Sequence, residues 1–479
     1  MNNMKKYSIL LAVTLVIAVM SGCMVGPKYQ KPVVQTPQYF TYCDSVKQDS
    51  ALNLEWWTLF QDPQLDTLIR TALAENRDVR LAASRVEEAR AAVGYSKADM
   101  WPNVGYEAKI QGGNLSNALI KESDLNVSSS YYAAPVLSWE LDFWGKYRSA
   151  TQAAKADLIG TEYGYRSVMI SLIAGVASTY YQLLDFDNQL EISRQTLESR
   201  KESTRIIRER FNKGIVPEID VNQAEIQENI AAAYIPQLER YVAQTEHALS
   251  ILLGQMPGTI VRGLSLNSQP IPPEIPSGIP SELLTRRPDI LYTEQALIAQ
   301  NAYIGVAQAM RFPSFSLTGL FGVASPDLTF SAVNAAWSVS GGILGPIFHF
   351  NKNKRRVEIE QQRYQQVLMD YDQTVLQAFR EVEDGLIGVS TYKTELEAVN
   401  KQKASAQNAA RLSRSRYDGG VTSYLEVLDS ERTLFETELN SSQTLQQLLN
   451  SYVNLYKVLG GGWVSPEEKT AATAPPESK

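Results

Sequence analysis

The sequence is written twice. Asp78, Gly94, Ala98 and Pro102 recur as Asp289, Gly305, Ala309 and Pro313, at an offset of 211 residues. Arg210-Phe211-Asn212-Lys213-Gly214 recurs as Arg416-Tyr417-Asp418-Gly419-Gly420, at an offset of 206. Asp220-Val221 and Glu225 recur as Glu426-Val427 and Glu431 at that second offset. The change of offset falls between residues 102 and 210 and is expected in the turn-rich segment 112–128. A chain of 479 residues is too long for one ordinary core. The duplication says how that length is used: two copies of one plan, joined by the proline- and glycine-rich segment 254–280.

Each copy reads as helix, two strands, very long helix, tight turn, helix. The first repeat is placed at 61–253, with strands at about 101–112 and 129–142 and helices at about 64–98, 146–211 and 218–253. The second is placed at 281–459, with strands at about 312–323 and 331–347 and helices at about 281–310, 352–418 and 424–459. Met169, Leu172, Ile173, Val176, Tyr180, Leu183 and Leu190 keep helical spacing in the first long helix. Tyr364, Val367, Leu368, Tyr371, Val375, Ala378, Phe379, Val382 and Leu386 do so in the second. About 65 residues at 1.5 Å each make a rod on the order of 100 Å. Such a rod needs partner helices along its whole length, as in a coiled coil.

The strands alternate. Val104, Tyr106, Ala108 and Ile110 interleave with polar residues and glycine, as do Tyr131, Ala133, Leu137, Trp139 and Leu141. In the second copy the apolar positions are Phe315, Leu317 and Phe321, then Val333, Ala335, Trp337, Val339 and Ile343. Two structures give this pattern: a half-buried soluble sheet, and barrel strands with an apolar face toward lipid. If the strands span a membrane, one chain is not enough. Four strands cannot close a barrel, since known ones start at about eight, and an open edge in lipid leaves unpaired amides. Several chains must then share one barrel.

Composition narrows the function. A net charge of -7 argues against a general nucleic-acid binder. The two histidines, His247 and His349, and two cysteines, Cys23 and Cys43, are too few and too scattered for a metal cluster. Phosphate-loop, nucleophile-elbow and zinc-protease motifs are absent, so no enzyme, such as a cell-wall hydrolase, finds support. Gly460-Gly461-Gly462 reads as a helix stop before a tail, 460–479. At the N-terminus Lys5 and Lys6 precede an apolar run, Ile9 to Met20, the length of a signal-peptide core and short for a membrane span. Met20-Ser21-Gly22-Cys23 is similar to a bacterial lipobox, though leucine is usual at the first position. Residues 1–22 are expected to be removed and Cys23 lipidated, with 23–60 an extended segment. No other cofactor is expected. Met24, where aspartate commonly retains lipoproteins at the inner membrane, favours the outer one.

These residues carry a resemblance. The marks are Cys23-x-x-Gly26-Pro27-x-Tyr29-x-x-Pro32, Trp56-Trp57-x-x-Phe60-x-Asp62-Pro63-x-Leu65 and Trp139-Glu140-Leu141-Asp142-x-Trp144-Gly145. Further marks are Arg286-Arg287-Pro288-Asp289-Ile290, Pro313-x-Phe315-x-Leu317-Thr318-Gly319 and Arg416-Tyr417-x-x-Gly420 followed by Tyr424-Leu425-x-Val427-Leu428-Asp429. In this order they resemble the TolC-like outer-membrane factors, specifically the lipoprotein branch serving RND-type efflux pumps, often labelled NodT- or OprM-like. The chain departs from the pattern at His349-Phe350-Asn351-Lys352, where relatives commonly have a glycine and an arginine.

The resemblance implies a fold that is mainly α with β. Long coiled helices and two β-hairpins would build a homotrimeric, twelve-stranded barrel continued by a periplasmic α-helical tunnel. A mixed belt would surround the tunnel, drawn from parts of 24–60, 185–200, 254–280 and the tail. The protein would lie in the outer membrane, in contact with its lipid, as the passive exit duct of a tripartite system. Its partners would be a periplasmic adaptor (membrane fusion) protein and an inner-membrane RND pump. Adaptor docking falls on the tips Gly214, Ile215, Val216, Gly420, Val421 and Thr422. The aperture gate falls on Glu426 and Asp429, three residues apart on one helix face. Ser423-x-x-Glu426 also reads as a capping box. Closed-state tethers fall on Asp220 and Tyr417. Their usual basic partner would be at Thr422, which has no charge, leaving Arg210, Arg414, Arg416 or apolar packing. A type I secretion duct and a lipid-anchored coiled-coil scaffold without a pore remain alternatives.

Overall fold

A computed structural model describes residues 24–42, 55–113, 128–272, 280–325 and 334–461. The leader, Cys23, Cys43, Val333, most of 112–128 and the tail beyond 461 lie outside the described residues. The chain divides into two compact units. One comprises Met1–Val33, Arg85–Glu162 and Tyr292–Asp372; the other comprises Val34–Ser84, Tyr163–Leu291 and Gln373–Lys479. The repeats are therefore not the units of the fold: each unit takes matching pieces from both.

In the first unit, β1 (Asn103–Gly113), β2 (Ser128–Leu141), β3 (Ser314–Ser325) and β4 (Asn334–Leu344) form one antiparallel sheet in that order. The register explains the alternation. Val104 pairs with Leu137, Ala108 with Ala133 and Ile110 with Tyr131. Trp139 pairs with Leu317 and Leu141 with Phe315, while Phe315 meets Ile343 and Phe321 meets Trp337. Directly paired residues share a face, so the apolar positions of all four strands lie on one side. Tyr106, Phe321, Trp337, Val339 and Ile343 on that side are exposed. β1 and β4 are the free edges of the sheet.

Beneath the sheet the helices pack through small residues. Ala153, Ala156, Ala299 and Ala302 form one cluster, and a Cβ on Gly26 would lie 2.9 Å from Gly305 Cα. This close packing straps residues 24–33 onto the unit. Val25 N–H donates to Trp144 O at 3.0 Å, Asn301 Nδ2 to Pro27 O at 2.9 Å, and Lys31 pairs with Glu294 at 2.7 Å. Met24 packs on Gly145, whose φ is 75°. Trp144 Nε1 donates to Pro313 O at 2.8 Å, and Asp142 accepts from the first amides of the helix that follows. In the second repeat the matching turn holds Phe350 at φ 45° and Asn351 at φ 64°. The turn forms there without the glycine, with side chains in a region that disfavours them.

α1 (Pro63–Glu75) and α2 (Arg77–Ala98) stand where one helix over 64–98 is expected. The break is Asn76, extended at ψ 136°. Its Oδ1 accepts from the Asp78 and Val79 amides, as an N-cap does, and its Nδ2 donates to Leu252 O at 2.9 Å. The second copy breaks at the duplicate position. A helical turn, Leu283–Arg286, ends before Arg287, and α5 (Pro288–Ala309) begins after it. Proline disfavours the helical region for the residue before it. Arg287 Nη1 donates to Val458 O at 2.9 Å, the duplicate of Leu252 O.

The long helices are α3 (Lys146–Asn212) and α6 (Lys352–Asp418), each 67 residues. The return helices are α4 (Glu218–Leu252) and α7 (Tyr424–Val458), each 35 residues. All seven apolar positions assigned to α3 are buried. One stretch of α3 has the composition of a membrane span, which the sequence reading did not identify, but 61% of it is buried. It lines the core of the second unit, where Trp56, Phe60, Tyr180, Tyr181 and Leu183 are almost completely buried. Trp56 stacks on Tyr456 at 5.1 Å. Asp62 is the polar centre of that core. It caps α1 through Gln64 N–H and accepts from Tyr180 Oη at 2.9 Å and Gln269 Nε2 at 2.7 Å. The described part of the joining segment, 254–272, is irregular apart from a short turn, Leu266–Ser268.

Candidate functional site at the helical tips

Gly214 and Gly420 end the long helices at φ 70° and 72°. Each is followed by a residue whose amide reaches back: Ile215 N–H to Arg210 O at 3.0 Å, Val421 N–H to Arg416 O at 2.9 Å. This is the glycine-ended stop, made twice at the duplicate positions. Ile215 and Val421 project outward, 66% and 70% exposed. Ile219 and Leu425, themselves duplicates, are exposed beside them. Val216 turns inward against Ile207, Val221, Tyr417, Tyr424 and Leu428, and Thr422 is half-buried.

Glu426 and Asp429 lie in the first turns of α7 and are exposed. Ser423 makes no side-chain cap, so the capping box does not form. The Glu426 carboxylate is taken instead by Thr422 Oγ1 and by Arg416, whose Nε is 3.3 Å away. Asp429 accepts from Arg432 at 2.7 Å. Exposed pairs of this kind are weak, so both carboxylates remain available to other cations. The bases do offset the negative charge of the pair. The duplicate of Glu426 is Asp220, where burial raises the pKa above the usual carboxylate value, and the duplicate of Asp429 is the uncharged Gln223. The acidic pair thus belongs to the second tip.

Asp220 and Tyr417 are not hydrogen-bonded to each other. Tyr417 is buried, its hydroxyl has no partner, and its ring packs on Tyr424 at 5.3 Å. The hairpins are tied by other groups. Arg210 of α3 lies 5.0 Å from the Tyr417 ring centroid and 3.4 Å from the Asp418 carboxylate of α6. Arg414 of α6 donates to Ser203 Oγ of α3 at 2.9 Å. Two of the three arginines kept as fallback tethers therefore do link the hairpins, whereas Arg416 stays within its own. Arg200, buried between α3 and α7, was missed. In sequence it stands beside Lys201 and reads as a solvated face. A shallow groove of about 160 Å³ runs between the return helices, lined by Gln223, Ile226 and Gln227 of α4 and by Leu425, Leu428, Asp429 and Arg432 of α7.

Comparison with known proteins accounts for the duplicated plan. The family model described as outer membrane efflux protein matches residues 68–255 and again 279–461. The cation efflux system protein CusC of Escherichia coli O6:H1 is 33% identical over 455 residues, covering 93% of this chain and 96% of its own. The probable efflux pump outer membrane protein TtgC of Pseudomonas putida is 34% identical over 463 residues, covering 95% and 96%. Among solved structures, the outer-membrane channel OprN superposes with a TM-score of 0.86 at 31% identity, covering 92% of this chain and 100% of its own.

Proposed function

The chain belongs to the outer membrane efflux protein family, and on that premise we propose that three copies form the passive exit duct of a tripartite efflux system. The observation that carries the proposal is the sheet. It has one apolar, largely exposed face and two free edges, β1 and β4. Free edges in lipid are forbidden, so β1 of one copy pairs with β4 of the next. Three copies supply twelve strands, an ordinary number for a closed barrel. The long helices continue the duct into the periplasm.

Cys23 carries the lipid. Met24 and Val25 are strapped to the Trp144-Gly145 turn, where β2 gives way to α3, so the acyl chains leave at the rim of the barrel. The exposed apolar side chains of the tips, Ile215 and Val421, together with the turns Gly214, Val216, Gly420 and Thr422 that carry them, receive the helical hairpins of a periplasmic adaptor, which couples the duct to an inner-membrane RND pump. Glu426 and Asp429 form stacked acidic rings at the aperture, and Asp220 and Tyr417 belong to the packing that holds it narrow. The pump chooses the cargo, drugs or other small molecules, or cations as the name of CusC states for that protein.

Purified protein in planar bilayers tests this reading. Discrete, cation-preferring conductance steps are expected. Protein that stays soluble without detergent after Cys23→Ala, and never conducts, would point instead to the scaffold.

A further inference from the structure

Arg200 of α3 is 3% exposed. Its Nη1 donates to the Gln227 carbonyl of α4 at 2.6 Å. Nε and Nη2 are buried with no hydrogen-bond partner among the described residues. The guanidinium lies 5.0 Å from the Phe435 ring of α7, and the acids that act on it, Glu431 and Glu436, are also on α7. A guanidinium stays charged in a protein, so idle buried donors are costly.

Glu431 is half-buried. One of its carboxylate oxygens is 3.5 Å from Arg414 Nη1, the nitrogen that also donates to Ser203. Arg414 Nε is 3.9 Å from Asp418. The duplication shows what is special here. Arg208 and Glu225, the duplicates of Arg414 and Glu431, form a direct ion pair within the first hairpin. The duplicate of Arg200 is Ala406. The first hairpin therefore has one arginine for this acid, and the second has two, one of them from the opposite hairpin with donors unused.

We propose that Glu431 is handed between Arg414 of its own hairpin and Arg200 of the other, and that this exchange is a two-state latch setting how the hairpins pack behind the aperture. In the arrangement seen, Arg414 holds the carboxylate and Arg200 waits. In the other, Nε and Nη2 of Arg200 take it, and Arg414 keeps Ser203 and Asp418. The idle donors of one state are the used donors of the other, which is what a bistable contact requires. Arg200 faces Glu431 from α3, Arg414 from α6 and Tyr424 from its own helix; α4 presents the Gln227 carbonyl to Arg200. Burial raises the Glu431 pKa, and Arg414 and Arg200 oppose that rise. As pH falls, Glu431 takes its proton earlier than a free glutamate and neither arginine can hold it. The inference rests on the channel reading.

Single-channel recording on the full-length protein at neutral pH tests it. Arg414→Gln removes the present holder and Arg200→Gln removes the waiting one. They should shift the ratio of two conductance levels in opposite directions, each by at least about fivefold, the low end of measured couplings. Arg200→Lys, which keeps the charge and guards against misfolding, should shift it the same way as Arg200→Gln but less. In a Glu431→Gln background neither arginine change should matter. Shifts in the same direction, as general loosening gives, would overturn the latch, as would a single level in every variant. An unaltered protein that never conducts would instead overturn the channel reading beneath it.

Discussion

At the scale of the residue, the proposed aperture turns on a few charges. Glu426 and Asp429 are exposed; Thr422 Oγ1 and a weak pair to Arg416 hold the first, and a weak pair to Arg432 holds the second. Replacing both acids by alanine should raise conductance and lower the preference for cations, because rings of carboxylates concentrate cations at a mouth. Conductance and selectivity that stay unchanged would remove the gate role from these residues. The resemblance points to this pair in the sequence, but not to the groups that hold it. The expected capping box is absent because Thr422 Oγ1 and Arg416 compete for the Glu426 carboxylate. Arg200 carried no signal at all: its burial depends on Phe435 and Gln227, distant in the chain and brought to it by the coil.

At the scale of the element, the duplicated hairpin was the most legible part, because helical spacing over dozens of residues and a recurring glycine leave little freedom. What pattern reading missed were the breaks at Asn76 and Arg287. The apolar periodicity continues across both, and the reason to break is tertiary: each side chain bonds to a carbonyl at the foot of a return helix, Leu252 O or Val458 O. Pro288 was the one local warning. The free ends of the same hairpins carry a separate expectation. Ile215→Asp with Val421→Asp should abolish capture of the adaptor by the purified channel while leaving conductance in place, since both side chains are exposed and serve no core. Undiminished capture would move the docking surface elsewhere.

At the scale of the whole molecule, the proposed assembly rests on the sheet. Alternation gave the strands, but soluble and lipid-facing sheets alternate alike. The register settled that all four strands put their apolar residues on one face. A sheet with two free edges and one apolar face is incomplete in lipid. Native mass spectrometry of the protein released from outer membranes in detergent tests the central claim most directly. The account predicts three copies of the mature chain, each heavier by the mass of a lipid on Cys23. A monomer or dimer that still conducts would contradict it.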